Sequence, residues 1–331
     1  MAGVTIRDLA KQLGVSTATI SMALNNRPGI SPETRQRVQE AVRESGYNLD
    51  RLTGTPGKKR GNMELVIYKK TGRVVGDTPF FSSLIESIEQ EAAAAGYQLG
   101  IRYMGPDTPL TGLAGGVILL ATEMDETDLE PFLSLGLPLV ALDNSFQGSD
   151  VNSVAIDNAG GTGRATMHLI SLGHERIGYL ASSDRIRNFE ERFSGYQNAL
   201  ARAGLEPAEV ISLPANMDGA RQGMQNRLAD HSVSCTAFVA DNDLIAMGAM
   251  MELRERCVIG RDLSVIGFDD LPFSRICDPQ LSTLRVYHDA LGRTAVRRLL
   301  ELQREPDQPV THTLVGVGLK LRGSVGNGPE A

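Results

Sequence analysis

From Met63 onward, short uninterrupted apolar runs alternate with segments of helical period. Runs at 64–68, 98–103, 116–121, 137–142, 153–156, 177–181, 236–240 and 263–268 have the length and composition of buried strands. Between them lie helix-like segments, among them 81–95 ended by Gly96, 159–172 ended by Gly173, and 244–256. Strands without internal alternation, separated by helices, predict parallel sheets covered on both faces. About 270 residues exceed what one open sheet with a single core accommodates, so two such α/β lobes are expected. No repeat of fixed period is visible.

The first fifty residues carry a different pattern. Ile6, Leu9, Ala10 and Leu13 form one apolar stripe, with Thr5 placed to cap its start and Asp8 three residues on. Gly14 supplies a tight turn of positive φ, Val15 returns to the core, and a second helix is expected over about 16–25. There Ile20, Ala23 and Leu24 share one face, and Thr17, Ala18, Ser21, Met22 and Asn25 share the other. Ser31-Pro32 reads as the cap and first turn of a third helix, with Val38, Ala41 and Val42 as its apolar face and Gly46 as its stop. Two short helices, a glycine turn and an outer face of small uncharged side chains fit a helix-turn-helix. Short side chains let a backbone approach phosphates and base edges closely. A three-helix bundle that merely packs has the same spacing.

Charge separates the two ends. Residues 1–60 hold ten Lys and Arg against five Asp and Glu, whereas the rest holds 23 against 35, within a chain of net charge −7. A basic head on an acidic body presents one end to nucleic acid. Cys235, Cys257 and Cys277 are odd in number and widely spaced, which argues against a disulfide framework or zinc site and for a reducing compartment. No signal segment opens the chain and no run approaches the ~18 apolar residues of a membrane helix. A cytoplasmic protein with no membrane association is expected.

The head resembles that of the LacI family of bacterial transcription regulators. The resemblance rests on Val4-Thr-Ile-Arg-Asp-Leu-Ala, Gly14-Val-Ser-Thr-Ala-Thr-Ile-Ser, Leu24-Asn25, Ser31-Pro-Glu-Thr-Arg and Gly46-Tyr47, and it runs through the head without a gap. It implies that Thr17, Ala18 and Met22 read bases, and that Ser16, Thr19, Ser21 and Asn25 mostly hold the phosphate backbone. Thr5 at the first cap, and Lys58 and Lys59 in the linker, complete the expected DNA contacts. The linker departs from the family. Gly54 and Pro56-Gly57 oppose the short hinge helix that usually stands there. A basic tether and a single turn wedging Leu52 into the minor groove are both open readings.

The body resembles the same family through Thr78-Pro-Phe-Phe, Leu172-Gly-His-Glu-Arg-Ile, Asp241-Asn-Asp-Leu-Ile-Ala-Met-Gly and Ile266-Gly-Phe-Asp-Asp. This implies the fold of periplasmic sugar-binding proteins, two α/β lobes around a ligand cleft, with chain crossings near Asp157, Arg285 and Gly316. The expected organisation is a head at 1–48, a linker at 49–62 and an effector unit at 63–331. Its lobes take about 63–157 with 286–315, and about 158–285 with 316–331. Ligands of open α/β sheets bind beyond the carboxyl ends of strands. Asp143, Asn242 and Asp269 stand there, and Arg192 adds a fork of donors from a helix. By the resemblance Arg192, Asn242 and Asp269 bind sugar effectors and Phe81 lines the cleft. A strand-end Asp or Asn is equally a helix cap.

Other features carry less. Gly160-Gly161-Thr162-Gly163 lacks the Lys-Ser/Thr of a phosphate loop, and Thr166 replaces the third Rossmann glycine. His174 reads as a helix-end residue, and Met247, Met250 and Met251 as core or subunit interface. No catalytic group, metal site or cofactor is expected. The sequence therefore points to a repressor that binds double-stranded operator DNA as a homodimer or tetramer, with affinity set by a small effector, a mono- or oligosaccharide. The alternative is a sugar- or nucleobase-binding protein of periplasmic type without a regulatory role.

Overall fold

The structure, a computed structural model, describes residues 61–329 other than 77 and 78, and from the first sixty only residues 13–15, 19, 31, 34, 36–38 and 41. The chain divides into two compact units, Met1–Arg60 and Gly61–Ala331. In the first, Gly14 takes the left-handed φ of 68° that its turn requires. The Thr34 N–H donates to Ser31 Oγ at 3.1 Å, as a helix cap three residues earlier should allow, and Val38 is buried. Thr19 is helical. The other expected DNA contacts, Thr5, Ser16, Thr17, Ala18, Ser21, Met22, Asn25, Lys58 and Lys59, lie outside the described residues, as do residues 49–60 of the linker, whose expected last residue, Asn62, already belongs to the first strand.

The second unit holds two six-stranded sheets. The first is built from β1 (Asn62–Tyr68), β2 (Gln98–Met104), β3 (Val117–Leu120), β4 (Leu139–Leu142), β5 (Asn152–Ile156) and β11 (His312–Val315). Its order is β11-β5-β4-β3-β1-β2, and every pairing is parallel. The second takes β6 (Ile177–Ser182), β7 (Val210–Leu213), β8 (Ala237–Ala240), β9 (Ser264–Asp269), β10 (Ser282–Arg285) and β12 (Gly318–Lys320). It runs β12-β10-β9-β8-β6-β7, with only β12 antiparallel to its neighbour. Helices α1 (Pro79–Ala94), α2 (Glu126–Leu133) and α7 (His288–Arg304) accompany the first sheet. Helices α3 (Asn158–Ser171), α4 (Arg187–Arg202), α5 (Met217–Asp230) and α6 (Asp243–Leu253) accompany the second. The chain leaves the first sheet after Ile156, returns to it after Arg285, and crosses again between Val315 and Gly318.

Cover on both faces explains the uninterrupted apolar runs. All four residues of β3, of β4 and of β8 are buried. One core cluster joins Leu65, Ile118 and Val140 of the first sheet to Tyr179, Val239 and Ile266 of the second. Separate clusters fill the opposite faces. The Gly160–Gly163 stretch is the first turn of α3, capped by Asp157 Oδ1, which accepts from the Gly160 N–H at 3.0 Å. A Cβ at Gly161 would stand 2.4 Å from Val317 Cγ2, so its role there is close packing against the last crossing. His174 serves as a tie rather than as a side-chain cap: its ring bonds Thr236 Oγ1 at 3.0 Å and the Gly326 carbonyl at 3.1 Å. The C-terminal segment is thereby fastened to the second sheet.

Candidate functional site

In each sheet the strand order reverses beside a central strand, between β1 and β3 and between β6 and β8, where open α/β sheets make their crevices. The two crevices face one cavity between the sheets, enclosing about 510 Å³ including its open mouth. All five side chains expected there line it: Phe81, Asp143, Arg192, Asn242 and Asp269. Sequence reasoning did not single out Thr122, Asn188, Ile186 and Phe189, which line it too.

Arg192 is the centre of the polar network. It projects from α4 and is buried. Its Nε donates to Asn158 Oδ1 at 2.8 Å, its Nη1 to the Asp241 carbonyl, and its Nη2 lies 3.7 Å from Asp269 Oδ1. The guanidinium also stacks 3.6 Å from the Phe268 ring centroid, a weakly hydrated cation on an aromatic face. A buried charge needs this much compensation, because an unpaired one costs several kcal/mol or is neutralised.

The carboxylates are less well matched. Asp143 Oδ2 accepts from Thr122 Oγ1 at 2.7 Å, and Oδ1 accepts from Asn188 Nδ2 at 3.1 Å across the cleft. Burial nonetheless pushes its carboxyl up to about 6, against the opposing pull of Thr122, Arg192 and Asn188. Burial likewise pushes Asp269 up to about 7; Arg192 offsets part of this, while Asp143 and Asp241 add repulsion. Asp241, which accepts from Tyr179 Oη and the Ser182 N–H, both at 2.6 Å, is also pushed by burial to about 6. Asp143 and Asp269 both sit in left-handed backbone, φ 62° and 117°, at the ends of β4 and β9. Such backbone is uncommon outside glycine and is held where surroundings enforce it.

Asn242 does both things a strand-end amide can do. Its Oδ1 caps α6, accepting from the Ile245 N–H at 2.8 Å, while the residue lines the cavity. Among the described residues no acceptor engages its Nδ2. Phe81 closes the opposite wall, edge-to-face with Phe80 at 5.0 Å. The cavity thus offers a donor fork, an amide, two carboxylates and an aromatic wall.

A loop of the first lobe borders the site through Val74. It is pinned by Glu123, whose carboxylate accepts from the N–H groups of Thr71, Gly72, Val74 and Val75 at 2.7–2.9 Å. Burial raises the Glu123 carboxyl, but these four bonds outweigh it and hold it below its ordinary value. Arg73 of this loop lies 3.6 Å from Asp184, which follows β6. Ser145 Oγ donates to Glu191 at 2.7 Å between the same two lobes.

Known proteins resemble both units. Residues 5–49 match the family described as bacterial regulatory proteins, lacI family, and residues 166–325 match a periplasmic binding protein-like domain. The chain is 31% identical over 314 residues to the HTH-type transcriptional regulator GalS of Salmonella typhimurium, covering 90% of this chain and 89% of that one. The chain belongs to the lacI family of bacterial regulatory proteins. A second relative, the transcriptional repressor CytR of Escherichia coli K12, is 30% identical over 336 residues, 97% of this chain and 96% of that one. Among solved structures, the lac repressor dimer bound to operator and the anti-inducer ONPF superposes with a TM-score of 0.71 at 26% identity, covering 98% and 99% of the two chains. A complex of the regulator CelR with cellobiose gives 0.71 at 25%, covering 97% and 99%. This lacI-family chain is therefore a transcription regulator with a helix-turn-helix DNA-binding domain and a two-sheet α/β effector domain. Its relatives are regulators, not enzymes. Among the described residues no helix is long and apolar enough to cross a membrane.

Proposed function

We propose that this regulator is a repressor whose operator affinity is set by a sugar held in the cavity between the lobes. The observation that carries the reading is the convergence of Arg192, Asp143, Asn242 and Asp269 on one cavity walled by Phe81. Vicinal hydroxyls can accept from the guanidinium fork and the amide while donating to carboxylates, and the apolar ring face can lie on the phenyl group. Arg192 is the single cation among the described lining residues and faces two carboxylates, which disfavours anionic effectors. Because the ligand would touch both lobes, it acts through unequal affinity for two lobe arrangements. The chain would work as a homodimer, two heads matching a pseudo-palindromic operator. A surface groove lined by Met217, Met250 and Met251 with the exposed Phe273 and Ile276 is a face suited to pairing.

Thermal unfolding in the presence of a panel of pentoses, hexoses and disaccharides tests this directly. A sugar at a hundred times its Kd should stabilise the protein by about 2.7 kcal/mol, or roughly 5–10 °C for a unit of this size. Arg192→Ala should weaken that sugar tenfold to a few hundredfold, as loss of a charged hydrogen bond of about 1.5–3 kcal/mol requires. Operator affinity without sugar should stay near wild type. A panel of sugars that leaves the transition unmoved, or unchanged sugar affinity in Arg192→Ala, removes the assignment.

The DNA side is tested by selection from a random-sequence library. Thr17 and Met22 variants should change base preference at single positions, by about 1–3 kcal/mol each. Lys58 and Lys59 variants should instead weaken all sequences alike and flatten the salt dependence. Unaltered preferences in the Thr17 and Met22 variants would place the reading helix elsewhere.

A further inference from the structure

Next to the effector cavity lies a second one, also between the lobes, enclosing about 860 Å³ including its open mouth. Ile186 belongs to the walls of both, and is the partition where they adjoin. The short loop after β1 contributes to both as well, Val74 to the inner cavity and Thr71 to the outer. The Glu123 carboxylate that pins this loop through four backbone N–H groups also lines the outer cavity. The partition is therefore built from an ordered loop and a buried Ile186, 9% exposed.

The outer cavity differs in character. Lys70 and Glu123 come from the first lobe, and Arg185, Arg187 and Glu190 come from the second. Arg185 and Glu190 are exposed, and among the described residues neither side chain has a hydrogen-bond or ion-pair partner. They stand five residues apart across the start of α4, the helix that carries Arg192 into the inner cavity. A free donor fork and a free acceptor on the same rim suit a ligand with several hydroxyls. Phosphate or carboxylate is disfavoured, since Glu123, Asp125, Glu126 and Glu190 outnumber the three cations there. An extended apolar group would find mostly charged walls.

We infer that the effector is longer than one sugar ring, with its first ring in the inner cavity and its second hydroxyl-bearing ring in the outer cavity, read by Arg185 and Glu190. This rests on the sugar reading of the inner cavity and adds the size of the ligand to it. A ligand in both cavities would touch four lobe surfaces, two on each side of the cleft. Such a ligand holds the lobes in one relative arrangement more firmly than a single ring, because its binding energy is divided between both sides of each cavity.

The test uses the full chain and calorimetric titration with matched probes: glucose against cellobiose and maltose, and galactose against lactose and melibiose. At least one disaccharide should bind thirtyfold or more tightly than its component monosaccharide. Arg185→Ala and Glu190→Gln should bring that disaccharide down to within a few fold of the monosaccharide, and leave monosaccharide affinity unchanged. Both side chains are exposed, so the variants should fold, and unchanged melting temperatures will verify it. Monosaccharide binding as tight as that of every disaccharide overturns the outer site alone. So does a disaccharide preference that survives both substitutions. Absence of binding by all six sugars overturns the outer site, while the sugar reading on which it rests falls only if the wider thermal panel of pentoses, hexoses and disaccharides also leaves the transition unmoved.

Discussion

Asp270→Asn should lower the stability of the effector unit by about 3 kcal/mol at neutral pH, the lower end of the range for breaking a buried ion pair. Asp270 is buried in the turn that follows β9, and three arginines converge on it. Arg285 Nε donates to its Oδ2 at 2.9 Å, Arg275 Nη2 to the same atom at 3.1 Å, and Arg322 Nη2 to Oδ1. Burial pushes the carboxyl up, but the bonds from Arg322 and Arg275 prevail and hold it below its ordinary value. Arg275 and Arg285 are partly exposed and recover some hydration when the charge is removed, which is why the lower end of the range applies. Asn is the informative replacement, because Asp270 has φ 57° and Asn tolerates that conformation where Ala does not. A carboxyl held low in the fold stabilises above its unfolded pKa, and that contribution disappears as pH falls through the folded value. Urea midpoints should therefore differ between wild type and variant at pH 7 and converge in acid. A variant as stable as wild type at pH 7 would mean that the arginines find equal partners in water.

The hub also matters for where it sits. Arg285 is the last residue before the chain returns to the first sheet, and Arg322 follows the strand on which it comes back. Asp270 thus fastens two crossing segments to the turn that presents Asp269 to the cavity.

None of this could be read from spacing, since the partners of Asp270 lie 5, 15 and 52 residues away. What could be read was local. All eight apolar runs are strands: seven are central and covered on both faces, while the eighth, β2, lies at a sheet edge with Ile101 and Tyr103 exposed and is legible only because its residues are apolar. The four strands not read have physical reasons for their silence. β7 and β11 are edge strands, with Val210 and Leu314 each 48% exposed. β12 has three residues, and β10 begins with Ser282 and Thr283, polar yet buried. Those two are tolerated because Ser282 Oγ accepts from the Arg322 N–H at 2.8 Å and donates to the Arg322 carbonyl at 3.3 Å, and Asp243 accepts from Thr283 Oγ1. In the site, the strand-end rule found Asp143, Asn242 and Asp269. Applied evenly, it would have found Thr122 two residues beyond β3. Asn188 precedes Arg192 by one helical turn and so shares its face, a signal that helical periodicity contains. Asp143 and Asp269 resist the helix-cap interpretation only once the backbone is seen, since no helix starts at either.

Asp269, one residue before the hub, should respond to the same substitution in the opposite sense. Asp269→Asn should stabilise the ligand-free protein at pH 8, by up to about 4 kcal/mol, and should abolish or severely weaken sugar binding. The folded carboxyl titrates near 7, mainly because burial disfavours its charge, against an ordinary value of 3.8. Between those values the folded state holds a proton that the unfolded state has released, so stability falls as pH rises from about 4 to 7. The difference of about three pKa units corresponds to about 4 kcal/mol at 1.36 kcal/mol each. Asn carries no charge to bury, matches the shape of the Asp it replaces at the same φ of 117°, and leaves Arg192 its bonds to Asn158 and to the Asp241 carbonyl and its stacking on the Phe268 ring. The melting temperature at pH 8 should rise on the order of 10 °C, with no change near pH 4. Retention of the carboxylate at such a cost is what a binding site requires when the acceptor is worth more with ligand present than absent. Unfolding at pH 4 and pH 8, with one sugar titration, decides the matter. Equal or lower stability of the variant at pH 8 would show that the Arg192 pairing already compensates the buried charge, and that Asp269 is a structural half of an ion pair rather than a site held ready for a ligand.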